Sequence, residues 1–248
     1  MKPIRHRTLI LAPLAILGAI LALVASNVFA AVDFVKETHF RCYIVSQQTP
    51  AAPQTVILDD QFMPPTTVSI DEPLEFCPPT SKDGATIEEP AEHLTMYAAP
   101  FPLPQTLSVR TQDQFGLRTL TVTAARVLLV PTEKNDLGEP TKLNHYWCYA
   151  ANGPKVNRTV TLADQFGSNT VRVAEPEYFC NPVEKTHAGT TYRIEEPDVH
   201  LTCYDIKGPQ KTKAQQFRVQ NQIESDTFIV TSWDILCVPS AKLGSGPA

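Results

Sequence analysis

"HLTCYDIK", residues 200–207, has three relatives within the same chain: "HFRCYIVS" from His39, "HLTMYAAP" from His93 and "HYWCYAAN" from His145. Their starts lie 54, 52 and 55 residues apart. Self-similarity at a fixed period marks a repeat architecture, in which each copy is one supersecondary unit. Further signals recur inside every copy. An alternating apolar and polar run leads to "DDQF" at Asp59, "DQFG" at Asp113, "DQFG" at Asp164 and "NQIE" at Asn221. A second alternating run then ends in "LEFCPP" from Leu74, "VLLVPT" from Val127, "YFCNPV" from Tyr178 and "ILCVPS" from Ile235. Four repeats follow, at 39–92, 93–144, 145–199 and 200–242.

Each repeat reads as four short strands. In the third they fall near residues 146–150, 159–163, 170–174 and 178–180. Twenty-two prolines against ten glycines, set between runs of Val, Leu, Phe and Thr, are the punctuation of strands joined by turns. The "DQFG" segment fits a hairpin connection, since Asp caps a turn through its side chain and Gly accepts positive φ. Glu175-Pro176 and Glu72-Pro73 are expected to end a ladder, because proline carries no backbone donor. The fold class is all-β: tandem repeats of about 50 residues, each a small disulfide-closed sandwich or barrel-like unit, packed in pairs. A four-bladed propeller is the alternative, disfavoured because the first and last strands of a blade lie at opposite edges.

Six cysteines occupy the same two places in three repeats: Cys42 and Cys77, Cys148 and Cys180, Cys203 and Cys237. The second repeat has Met96 and Val130 at those places. Six cysteines allow fifteen pairings, and the joint absence chooses among them. A repeat can lose both partners without orphaning a thiol only if each bridge stays inside its repeat. The expected bridges are 42–77, 148–180 and 203–237, each closing a loop worth roughly 3 to 4 kcal/mol in the chain-entropy model. The second repeat is expected to loosen first.

Side chains alternate along the opening strand. One face carries Phe40 and Cys42, Leu94 and Met96, Tyr146 and Cys148, Leu201 and Cys203, and reads as core. The other carries His39 and Tyr43, His93 and Tyr97, His145, Trp147 and Tyr149, His200 and Tyr204. This second face is the candidate binding surface, for an extracellular protein or a polysaccharide, because aromatic rings offer flat apolar area with a polar tip. A second packed layer is its structural alternative.

The chain begins with basic "MKPIRHR", an apolar run from Leu9 to Ala25 and small Val28 and Ala30. That is the order of a secretory signal over residues 1–30, and a secreted, periplasmic or cell-surface location follows. An uncleaved membrane anchor is the alternative. A net charge of −5, with lysine and arginine scattered, gives no basic stripe and argues against a nucleic-acid partner. Nucleophile elbows, paired zinc histidines, phosphate loops and calcium loops do not occur. No catalytic, cofactor-binding or metal-ligating residue is assigned: the repeat histidines read as anchors of strand starts, and the "DQFG" aspartates as turn caps. "NRT" at Asn157 fits a glycosylation sequon.

With "HLTCY", "DQFG" and "LCVPS" together, the chain resembles an uncharacterised family of exported bacterial proteins built from tandem disulfide-bearing β units. The resemblance implies export and supplies no activity. The expected function is that of a secreted, non-enzymatic interaction module, and the alternative is an extracellular hydrolase whose site the sequence does not display.

Overall fold

The computed structural model describes residues 38–49, 52–209 and 211–248, so the expected signal segment lies outside the described residues. The first repeat forms β1 (Phe40–Gln47), β2 (Gln54–Asp59), β3 (Thr66–Ile70), β4 (Pro73–Cys77) and a short β5 (Ser81–Lys82). The second forms β6 (His93–Phe101), β7 (Leu107–Asp113) and β8 (Gly116–Lys134). The third forms β9 (His145–Asn152), β10 (Arg158–Asp164), β11 (Gly167–His187) and β12 (Thr190–Tyr192), and the fourth β13 (His200–Lys207), β14 (Lys211–Gln220) and β15 (Ser225–Pro247). The described residues are all-β, as the punctuation indicated.

The four repeats close together rather than one by one. Each opening strand pairs antiparallel with the closing strand of its own repeat and with that of the preceding one. The order is β1, β4, β6, β8, β9, β11, β13, β15 and back to β1. Eight segments thus make a closed ring with no free edge, which removes the aggregation hazard of an open sheet. These inter-repeat pairings are absent from a propeller, whose blades are separate sheets.

From this ring each repeat throws out a hairpin arm, and each arm crosses to the repeat two places along. β2 pairs with residues 184–186 at the tail of β11, while β10 pairs with β5 at the tail of the first repeat. β7 pairs with residues 240–247 at the tail of β15, while β14 pairs with Glu133 and Lys134 at the tail of β8. The units therefore do pack in pairs, first with third and second with fourth, each pair exchanging arms.

All four closing strands carry a bulge. Going from the arm into the ring, each closing strand skips one residue against the next opening strand: Leu74, Arg126, Glu177 and Asp234. The Glu175-Pro176 step does not end its ladder as expected. Pro176 faces Tyr204 between two register shifts, where irregular pairing tolerates its missing donor and bends the strand.

The expected bridges form, with Cα separations of 4.1 Å for Cys42–Cys77 and 3.9 Å for both Cys148–Cys180 and Cys203–Cys237. Cys148 and Cys203 face their partners directly across the ladder. In the second repeat, however, Met96 faces Leu129, while Val130 faces Thr95. The residue standing in for the second cysteine is therefore Leu129. Adjacent strand residues point to opposite faces, so Val130 belongs to another layer.

All six cysteines lie in one core cluster with Phe40, Leu94, Met96, Leu129, Tyr146 and Leu201. This is the core face of the opening strands, filling the ring. Two further clusters lie between ring and arms. One gathers Tyr97, Trp147 and Tyr149 with Val56, Leu58, Val68 and Ile70 of the first arm. The other gathers Tyr43 and Tyr204 with Val160, Leu162, Phe217 and Phe228 of the third and fourth arms.

Candidate functional site

The candidate binding face is closed. His39, Tyr43, His93, Tyr97, His145, Trp147, Tyr149, His200 and Tyr204 are all buried, the most exposed being His39 at 7%. The physical reason is the arms, whose apolar sides cover the outer surface of the ring. The surface read as a docking face is the second packed layer, and it offers nothing to an extracellular protein or polysaccharide.

Its polar tips are used internally. The Tyr43 hydroxyl donates to both carboxylate oxygens of Asp164 at 3.0 Å, and Tyr149 donates to Asp60 at 2.9 Å. Tyr204 donates to Asp113 at 2.5 Å. In the fourth repeat, where the aspartate is replaced by Asn221, Tyr97 donates to Glu224 at 2.7 Å and accepts from Asn221 at 2.8 Å. Each of these four tyrosines therefore reaches the turn of the repeat two places away, on the first-to-third and second-to-fourth pattern of the arms.

The same side chains cap their own turns. Asp60 accepts from the Phe62 and Met63 amides, Asp113 from Phe115, Asp164 from Phe166, and Asn221 from Ile223 and Glu224, at 2.7 to 3.1 Å. The turn-cap reading of these residues stands, and the interlock adds a second role. Gly116 and Gly167 follow two of the caps at φ of 112° and 135°, where a side chain would be strained. Burial raises the carboxyls of Asp60, Asp113 and Asp164, partly offset by these hydrogen bonds and, for two of them, by an arginine. Arg41, itself fully buried, contacts Asp164 at 2.7 Å, and Arg118 contacts Asp113 at 3.3 Å.

The histidines do not gather. His93 and His200 each hold a backbone carbonyl two residues earlier, Ala91 at 2.9 Å and Asp198 at 3.2 Å, while His145 meets Gln222 at 3.1 Å and His39 meets Gln114. Burial lowers His93 and His200 to about 4 and His145 to about 3, so they are neutral strand anchors at physiological pH. Lys185, also fully buried, donates to Gln222 at 3.2 Å and lies 4.6 Å above the Tyr192 ring. Its amine falls to about 8 for the same reason. Asn157 of the sequon is exposed.

The accessible chemistry lies at the bulge end of the ring, in residues the sequence reading passed over. An open cleft of about 560 Å³ is lined by Ala150, Asn152, Glu175, Glu177, Asp205, Lys207 and Asp234, among others. The bulges supply Glu177 and Asp234, and β-bulges commonly re-aim a side chain in this way. Asp205 stands two residues beyond Cys203 and so shares its inward face.

Glu75 stands two residues before Cys77 and also points inward, its carboxylate within 4.8 Å of the sulfurs of Cys42 and Cys77. Both sulfurs are bridged, so neither is a thiolate ligand. Burial, then the charges of Asp234 and Glu177, raise Glu75 well above the usual carboxylate range. Burial likewise raises Glu177 and Asp234, each further raised by Asp205. Glu75 Oε2 and Asp234 Oδ1 are buried without a hydrogen-bond partner. Lys207 grips Asp205 at 2.7 Å. A second open cleft, of about 640 Å³, is also acidic, lined by Glu88, Glu89, Glu92, Glu139 and Glu196 with Lys142.

Residues 108–239, more than half of the chain, match a family described as a repeat of unknown function (DUF7450). The chain belongs to that family. The matched span runs from the arm of the second repeat to Pro239 and takes in the turns at Asp113, Asp164 and Asn221 and two of the three bridges, Cys148–Cys180 and Cys203–Cys237. No curated protein and no solved structure matches the chain.

Proposed function

We propose that this DUF7450 protein is an exported bacterial, non-enzymatic repeat module that works outside the cell by contacting a cationic partner through its acidic clefts. The observation that carries the reading is the division of labour among polar groups. The His and Tyr side chains that recur in every repeat, and the turn residues Asp60, Asp113, Asp164 and Asn221, are taken up by internal hydrogen bonds. Other carboxylates line two open clefts, Glu88, Glu89, Glu92, Glu139 and Glu196 in one and Glu175, Glu177, Asp205 and Asp234 in the other, in a chain of net charge −5. Complementary charge steers association and fixes register. Three disulfides fit an oxidising compartment, and among the described residues no helix is long and apolar enough to cross a membrane.

Titrating the oxidised protein with a lysine-rich peptide and with an amino-sugar oligomer tests this. The expected result is saturable binding that weakens steeply with salt and is lost on Glu177→Gln with Glu196→Gln. Binding to neutral and cationic ligands alike, or to neither, contradicts it.

A hydrolase is the second reading, favoured by one observation: Glu75, Glu177 and Asp234, from three repeats, are carboxyls with raised affinity for protons within electrostatic reach of one another. Two carboxyls of unlike environment are the machinery of glycoside hydrolysis. Turnover of a glycan substrate with a bell-shaped pH profile, abolished by Glu75→Gln, would establish it.

A further inference from the structure

We propose that Lys185 and Gln222 join through their side chains in an autocatalytic isopeptide bond, which fastens the third repeat covalently to the fourth. This goes beyond the reading of the acidic clefts and stands independently of it.

The tails of the repeats set this pair apart. A lysine stands five residues after Cys77, Leu129, Cys180 and Cys237. Three of the four, Lys82, Lys134 and Lys242, lie over the phenylalanine of the next repeat's turn, Phe115, Phe166 and Phe62, at 4.8 to 5.8 Å. The fourth turn carries Ile223 in place of phenylalanine, and Lys185 is held differently. Its amine, at 0% exposure, meets the Gln222 carbonyl oxygen at 3.2 Å and the Tyr192 ring at 4.6 Å. A buried ammonium without a bridging carboxylate is costly. Burial lowers this amine to about 8, so roughly a tenth of it is uncharged and nucleophilic at pH 7.

The surroundings of Gln222 dispose its carboxamide toward attack. His145, buried and neutral, sets its Nε2 3.1 Å from the same carbonyl oxygen. With its proton on Nε2 it donates where negative charge develops as the carbonyl becomes tetrahedral. The carboxamide nitrogen donates to Glu139 Oε1 at 2.5 Å, which places a proton carrier on the leaving group. Glu139 comes from the second repeat, His145 and Lys185 from the third and Gln222 from the fourth, so the closed fold assembles the group and holds the reactants together.

The carboxamide turns Cδ toward the amine, and the Lys185 Nζ lone pair adds to it. Glu139 takes the proton released from Nζ and delivers it to Nε2. The Cδ–Nε2 bond breaks, the Nζ–Cδ bond takes its place and ammonia leaves. One amide replaces another, so the step needs no oxidant, reductant or external reactant. Lys134 and Gln165 make the same contact one repeat earlier, at 2.5 Å, but exposed to solvent, where the amine stays hydrated; that pair is the internal control.

Intact-mass spectrometry of the oxidised protein, with tryptic mapping after reduction, tests the bond. The expected results are a mass lower by one ammonia and a branched peptide joining residues 173–193 to 219–242. Lys185→Arg should restore the full mass. Glu139→Gln, at an exposed position, should form the link at least about a hundredfold more slowly, and Lys134→Met should form it as wild type does. If Lys185→Arg does not fold, the wild-type peptide map decides alone. Full mass in wild type after prolonged incubation at neutral pH, or a branch between Lys134 and Gln165 in its place, overturns the proposal. Linkage of Glu139→Gln at the wild-type rate overturns the chemistry assigned to that carboxylate.

Discussion

A fourth bridge can be written into the second repeat, and only one pair of positions should accept it. Met96 and Leu129 face each other in the β6–β8 ladder as Cys148 and Cys180 do in the third repeat, and both are buried in the ring core. Replacing both with cysteine closes a loop 33 residues long, worth roughly 3 to 4 kcal/mol in the chain-entropy model. The three existing loops, 42–77, 148–180 and 203–237, do not overlap this one, so its closure is not already counted. Loss of the Met and Leu side chains costs about 1 to 2 kcal/mol, because a bridge refills much of the space. A net gain of about 2 kcal/mol should raise the melting temperature by about 4 to 8 °C in a chain of this size. Differential scanning calorimetry with and without reductant reads the gain, and non-reducing peptide mapping identifies the bridge. The control is Met96→Cys with Val130→Cys, whose side chains lie on opposite faces. Efficient bridging in the control, or persistent free thiols in the Met96 and Leu129 double variant, would refute the register on which the ring is built.

Three further outcomes follow from the buried groups. Glu75 has its folded-state pKa raised, so its contribution to stability is present in acid and lost as pH rises through that value. Glu75→Gln should match wild type near pH 4 and exceed it near pH 8 in chemical denaturation. His200 has the opposite sign. Lowered from 6.5 to about 4, it stays neutral in the fold, and its contribution is lost as pH falls from about 6.5 to 4. Wild type should then fall relative to His200→Asn by up to about 3 kcal/mol, and parallel stability curves would sink this assignment. With all bridges intact, the amides of β6 and residues 127–132 should exchange with solvent faster than those of β9 and residues 178–183, since only the second repeat lacks a staple; equal protection in all four repeats contradicts this.

The repeat, the three bridges and the inward face of each opening strand were legible because they are local and recur. The counterpart of Cys180 in the second repeat was misplaced by one residue. "VLLVPT" puts a valine next to its proline, whereas counting two residues back from Pro182, Pro239 and Pro131 gives Cys180, Cys237 and Leu129. The fate of the His and Tyr face was harder to read. Alternation separates two faces but does not say which of them is covered, although unbroken apolar runs such as "VLLV" and "ILCV" are the mark of strands buried on both sides. Which repeat meets which was not legible at all. Each Tyr and each turn residue has near-copies in the other repeats, so only three-dimensional closure decides that Tyr149 takes Asp60. The Glu75 cluster left one trace, a charged residue at an inward position where the other repeats carry Val127, Tyr178 and Ile235.

That reciprocal docking of first with third and second with fourth repeats is the central claim, and a double-mutant cycle measures it directly. Tyr149→Phe and Asp60→Asn remove the two halves of one contact, 2.9 Å long, between groups 89 residues apart in sequence. A coupling energy of about 1 to 2 kcal/mol is expected from denaturation of the four proteins in the cycle. The mismatched cycle, Tyr149→Phe with Asp113→Asn, should be additive within about 0.5 kcal/mol. Additivity in the matched cycle, or equal coupling in the mismatched one, would contradict the exchange of arms between alternate repeats.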